Sequence, residues 1–104
     1  MKRTRTMLAT TAGAALALTL AGSAGAALPG AALFTKASCG ACHTLKAAKA
    51  KGAVGPNLDK LKPSSAALIK QITNGGGAMP PFKATFTAAQ IKQIAAYVVS
   101  VAGK

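Results

Sequence analysis

The chain has 104 residues, 51 % of them apolar, and 13 Lys or Arg against one acid, for a net charge of +12. That length excludes more than one domain. The charge alone would suit a nucleic-acid binder, but the lysines are scattered and no basic–aromatic stacking pattern accompanies them, so that class is excluded as well.

Residues 1–26 have the layout of a secretory signal peptide. Lys2, Arg3 and Arg5 precede an apolar run from Met7 to Leu20, and Ala24-Gly25-Ala26 forms an Ala-x-Ala cleavage site. The apolar run, about 14 residues, is shorter than the about 20 a membrane span needs, so no stable insertion is expected once the leader is cut. No paired arginines precede it, and the only cysteines, Cys39 and Cys42, lie far from the cleavage site. The expected product is an exported domain, residues 27–104, lying in the periplasm or otherwise outside the cytoplasmic membrane.

Ten lysines and one acid, Asp59, remain in that domain, a charge of +9. A one-signed field of this kind steers a protein towards acidic partners. With 78 residues the domain buries little apolar surface by itself, and chains of this size generally need a disulfide, a metal or a cofactor as a staple.

Pro29-Gly30 opens the domain, and Ala31 to Ser38 is a helix candidate with Leu33 and Phe34 as its apolar members. Cys39-Gly40-Ala41-Cys42-His43 follows, the Cys-x-x-Cys-His attachment signature of c-type haem. Two thiols three positions apart can each add to a vinyl group, and the next residue offers an imidazole to the iron. His43 to Leu45 can continue for one turn. Lys46 to Lys51 reads as an exposed helical turn or loop, and Gly52 to Leu58 as loop. A second helix is expected from about Pro63, capped by Ser64 or Ser65, with Leu68, Ile69 and Ile72 inside and Asn74 to Gly77 ending it. Ala78-Met79-Pro80-Pro81-Phe82 must be extended, because a proline disfavours helix in the residue before it. Thr87-Ala88-Ala89-Gln90 is a capping-box pattern, and Ile91, Ile94, Ala95 and Val98 then recur at helical spacing. No stretch alternates as a strand does. The fold class expected is all-α, short helices joined by loops.

The exported part holds one histidine, His43, and one methionine, Met79, 36 residues apart. Haem iron in c-type carriers is held by a nitrogen and a thioether sulfur, and this chain offers one of each. Met79 lies between a glycine run and two prolines, a pliable entry and a stiff exit. Two cysteines and one histidine are one ligand short of a structural zinc site. A redox dithiol of the thioredoxin kind expects a strand–helix–strand context that is absent here. Asn57 and Asn74 read as turn residues, either of which could also reach a haem propionate or the Met79 sulfur.

With these motifs the chain resembles the class I c-type cytochromes, and most of all the small bacterial carriers of the cytochrome c6 type. The resemblance covers nearly all of Pro29 to Val101. It rests on Cys39–His43, on Gly55-Pro56-Asn57-Leu58, on Asn74 to Phe82, and on the helix carrying Ala95-Ala96-Tyr97-Val98. It implies a small class I cytochrome c fold around one haem c attached through Cys39 and Cys42, with His43 and Met79 on the iron. It also implies that the Pro56 carbonyl accepts the other ring N–H of His43, and that Gly30 and Phe34 cross the last helix near Ile94 and Tyr97. One departure stands out. Phe34 precedes Cys39 by five residues where four is the commoner spacing, which turns Phe34 away unless the helix bulges or ends early.

The reading that follows is a soluble one-electron carrier, not an enzyme, working as a monomer with redox protein partners that present acidic docking faces. An electron-transfer subunit of a larger oxidase or dehydrogenase complex is the alternative. A small haem enzyme or gas sensor would need an open iron position and a distal acid–base group, and neither a second histidine nor a second acid exists to supply one.

Overall fold

A computed structural model describes residues 30–104; the leader expected over residues 1–26 lies outside them. Among the described residues four α-helices carry the fold: α1, Gly30–Lys36; α2, Leu58–Leu61; α3, Ser65–Asn74; and α4, Ala88–Val101. Helices this short are marginal alone, so packing must supply their stability. α1 and α3 both pack on α4.

The α1–α4 crossing is close because Gly30 has no side chain. A Cβ there would overlap the Gln93 carbonyl and come within 2.6 Å of Tyr97 Cβ. One turn on, Phe34 meets Tyr97 edge-on, with ring centroids 5.8 Å apart. Phe34 is only 2 % exposed, so the five-residue spacing before Cys39 is accommodated. The helix ends early, at Lys36, and Ser38 turns in the left-handed region at φ 60°. That one residue takes up the additional length and leaves Phe34 facing inward.

α3 starts at the Ser64 cap, whose hydroxyl accepts the Ala67 N–H at 3.1 Å. The capping box of α4 is formed as the pattern demands. Thr87 Oγ1 accepts the Gln90 N–H, and Gln90 Oε1 accepts the Thr87 N–H. Ile91, Ile94, Ala95 and Val98 are the buried face of α4. Every buried residue among those described is apolar.

Two features differ from the sequence expectation. Residues 44–51 form a small hairpin rather than a helical continuation. Strands β1, Thr44–Leu45, and β2, Ala50–Lys51, pair antiparallel across a 3-10 turn at Lys46–Ala48. Thr44 Oγ1 donates to the Gly52 carbonyl at 2.8 Å and closes the hairpin's open end. A pair of two-residue strands has no periodicity to read. In addition, α2 follows directly on the expected loop Gly52–Leu58, over residues with no helical pattern in the sequence. Its N-cap is Asn57, whose Oδ1 accepts the N–H groups of Asp59 and Lys60. No helix among the described residues is long and apolar enough to cross a membrane.

Candidate haem site

The Cys-x-x-Cys-His segment is wound into a 3-10 turn over Cys39–Ala41. The Cys39 carbonyl accepts from both Cys42 N–H and His43 N–H, at 3.2 and 3.0 Å. One turn therefore fixes both thiols and the imidazole relative to each other. The hairpin supports this turn from behind. Gly52 lies so close that a Cβ there would be 2.5–2.6 Å from backbone atoms of Cys42 and His43, and one at Gly40 would be 2.9 Å from Ala50 Cβ.

The His43 ring is oriented by the loop that follows. Its Nδ1 lies 2.8 Å from the Pro56 carbonyl oxygen. A carbonyl can only accept, so Nδ1 donates, and in the neutral imidazole the lone pair is on Nε2. Such a bond fixes the tautomer of a metal-binding imidazole and raises its basicity. Gly55 presses on the same ring; a Cβ there would stand 2.5 Å from Cε1 and 2.8 Å from Nδ1.

Met79 is presented by a tight loop. Gly76 and Met79 exchange backbone hydrogen bonds of 2.9 and 3.0 Å, and Phe82 N–H donates to Ile72 O at 2.9 Å, fastening the loop to α3. Gly75 is needed here, since at φ 67° a Cβ would be 2.6 Å from the Met79 carbonyl oxygen. The sulfur accepts from Gln71 Nε2 at 3.8 Å. Neither Asn57 nor Asn74 makes that contact: Asn57 caps α2, and Asn74 ends α3. Gln71 is the residue that the sequence reading passed over. Its signal was a polar side chain beside Leu68 and Ile72 on the inward face of α3, three positions after one and next to the other.

Cys39, Cys42, His43 and Met79 all line one cavity of about 700 Å³, walled otherwise by apolar groups that include Phe34, Leu68, Ile72, Ile94 and Val98. Protein interiors otherwise hold few voids larger than a water, and a space of this size is in the range of cofactor sites. Two thiols, an imidazole with a free lone pair and a thioether, set in an apolar chamber, are a donor set that fits a covalently attached haem.

The alternatives fit less well. Burial pushes the Cys39 thiol up to about 11, whereas a reactive dithiol needs a lowered one. Among the described residues no three His, Cys, Asp or Glu side chains come together as a metal site.

Comparison with known proteins agrees. Residues 25–98 match the family model described as cytochrome c oxidase, cbb3-type, subunit III. Cytochrome c6 of Aphanizomenon flos-aquae is 44 % identical over 77 residues, which are 70 % of this chain and 87 % of that one. Cytochrome c6 of Leptolyngbya boryana is 38 % identical over 72 residues, 65 % of this chain and 85 % of that one. In structure, the c-type cytochrome SorU from Sinorhizobium meliloti superposes with a TM-score of 0.68 at 44 % identity, covering 72 % of this chain and 88 % of that one. By motif, fold and relatives, the chain belongs to the c-type cytochrome family of haem electron carriers.

Proposed function

We propose that this chain is an exported, monomeric one-electron carrier holding one haem c, with Cys39 and Cys42 as its thioether anchors and His43 and Met79 as the residues that would hold its iron. The observation that carries the reading is the convergence of all four side chains on one apolar cavity. When bound, the haem supplies one-electron Fe(III)/Fe(II) cycling. The protein's residues orient, shield and tune. Pro56 O holds the His43 ring through Nδ1 and leaves Nε2 as the nitrogen that would face the iron. The Gly76–Met79 bridge holds the thioether, which as a soft, neutral ligand favours the reduced iron. The apolar wall excludes water. With His43 and Met79 both holding the iron, no ligand position would remain for a substrate, which supports transfer over catalysis. Redox protein partners with acidic faces suit the charge of +9 carried by residues 27–104.

Absorption spectra of the purified holoprotein, oxidised and reduced, test this assignment. The expected oxidised spectrum contains the weak long-wavelength band of a sulfur–iron bond, and Met79→Ala loses it. A wild-type spectrum without that band, or rapid tight carbon monoxide binding by the reduced protein, overturns the closed site.

A second reading has one observation in its favour. The matched family model describes an oxidase subunit, which would make this chain part of a fixed complex. Co-purification with a large membrane partner, rather than release as a free monomer, distinguishes that case.

A further inference from the structure

The grip of the Pro56 carbonyl on the His43 ring is made by a short loop, and that loop is anchored at both ends. At its start, Gly52 N–H donates to His43 O at 3.1 Å and Gly55 N–H donates to Cys42 O at 2.6 Å. Its far end runs into α2, and four helical residues do not hold a direction by themselves.

Asp59 supplies the second anchor. Its N–H donates to Asn57 Oδ1 at 3.0 Å, which closes the turn immediately after Pro56. Its carboxylate takes backbone donors from two other parts of the fold. Oδ2 accepts the N–H of Lys46, the residue after β1, and Oδ1 accepts the N–H of Gly103, just past the end of α4, both at 2.8 Å. Hydrogen bonds to an ionised acceptor are shorter and stronger than neutral ones. Both partners lead back to the cavity: β1 begins one residue after His43, and α4 supplies the wall residues Ile94 and Val98. Leu58, between Asn57 and Asp59, is buried and lines the same cavity. One carboxylate therefore joins the strand after the imidazole, the helix behind the cavity and the segment that carries the Pro56 carbonyl. No other Asp or Glu exists in the chain to take its place.

We propose that Asp59 is a positioning residue of the iron site: it fixes α2 to the hairpin and to the end of α4, and thereby keeps the Pro56 carbonyl on the Nδ1–H of His43. The proposal rests on the electron-carrier reading, in which Nε2 faces the iron. A firm bond at Nδ1 makes the imidazole a more basic ligand, and a more basic ligand favours Fe(III). Loosening that bond moves the redox equilibrium towards Fe(II).

The test follows the His43 ring N–H of the reduced holoprotein by NMR as it exchanges with deuterium, together with the reduction potential. Asp59→Ala is expected to speed the exchange about tenfold through local opening of the loop. It is also expected to shift the redox equilibrium about threefold towards Fe(II), roughly 30 mV for one electron. Potentials are taken in about 1 M salt, where the screening length is about 3 Å, so that loss of the charge itself contributes little. Asn57→Ala breaks the same link without a change of charge and is expected to act in the same direction on both readouts, whereas Asn57→Ser still caps α2 and restores them. Thr87→Ala removes the cap of α4 and lowers stability, but is expected to leave ring exchange and potential at their wild-type values. Where Asp59→Ala takes up no haem, Asp59→Asn, which keeps one acceptor oxygen, is expected to show the same changes at smaller size. Unchanged ring exchange in the Asp59 variant overturns the proposal. A potential shift in that variant with none in Asn57→Ala overturns it in favour of a plain charge effect, and equal changes in Thr87→Ala overturn it in favour of general softening. A wild-type protein without a haem spectrum removes the carrier reading as well; a normal haem spectrum with unchanged ring exchange in the variants removes only the positioning role.

Discussion

The His43 imidazole is gripped by the loop segment that contains Pro56: Nδ1 lies 2.8 Å from the Pro56 carbonyl oxygen, and the preceding Gly55 abuts the ring at Cε1. Gly55→Ala therefore forces either the ring or the loop to move, since its Cβ would meet three ring atoms at 2.5–3.0 Å. Overpacking of this kind costs about 1–3 kcal/mol. The variant is expected to unfold at lower temperature and to show a weakened His43–iron interaction in its absorption spectrum. Wild-type stability with an unchanged spectrum would show that the loop does not constrain the imidazole.

The amide of Gln71 is the donor that reaches the Met79 sulfur. With Met79 on the iron as proposed, it would withdraw electron density from the thioether and favour Fe(II) over Fe(III). Gln71→Leu removes the donor and is expected to lower the reduction potential. A net hydrogen-bond contribution of about 0.5–1 kcal/mol corresponds to roughly 20–40 mV for one electron. Redox titration of the two proteins measures the difference, and a rise in potential would contradict the assignment.

Ser38 carries the register of the first helix against the Cys-x-x-Cys-His turn. At φ 60° its Cβ disfavours the conformation, and glycine has no such penalty. Ser38→Gly is expected to stabilise the fold by up to about 1 kcal/mol, seen as a rise of a few degrees in Tm. Ser38→Val, with a branched Cβ in the same position, is expected to destabilise and to loosen Phe34. Fluorescence of Tyr97, whose ring meets Phe34 at 5.8 Å, reports that loosening.

What could be read from the sequence depended on how local each signal was. The Cys39–His43 motif, the Thr87–Gln90 capping box and the Met79-Pro80-Pro81 exit each lie within five residues, and their chemistry needs no knowledge of the rest of the chain. The hairpin at 44–51 was not legible, because Thr44–Leu45 and Ala50–Lys51 are too short to alternate. α2 was passed over although Asn57 had the capping chemistry, since four helical residues make little pattern. The Phe34 register turned on a single left-handed residue, Ser38, which a serine side chain does not announce. The Gln71–Met79 contact spans the end of α3 and the glycine loop, so it existed only after folding.

Asp59 offers an unusually clean measure of acid sensitivity, because it is the only Asp or Glu in the chain. Its carboxylate accepts the Gly103 and Lys46 backbone N–H groups, and these bonds hold its pKa below the usual 3.8. In the unfolded chain the group returns to an ordinary carboxylate value, about 3.9. The folded pKa is the lower of the two, so between them the unfolded state binds more protons and stability falls as pH falls. The contribution is whole above about pH 4 and is lost as the pH drops through the folded value. Asp59→Asn keeps one acceptor oxygen and loses the charge, so one backbone donor goes unpaired. That variant is expected to be less stable than wild type at neutral pH and to lose less on acidification below pH 4. Denaturant unfolding of both holoproteins across that window measures it, and parallel pH profiles for the two proteins would show that the carboxylate does not fasten the C-terminus to the hairpin.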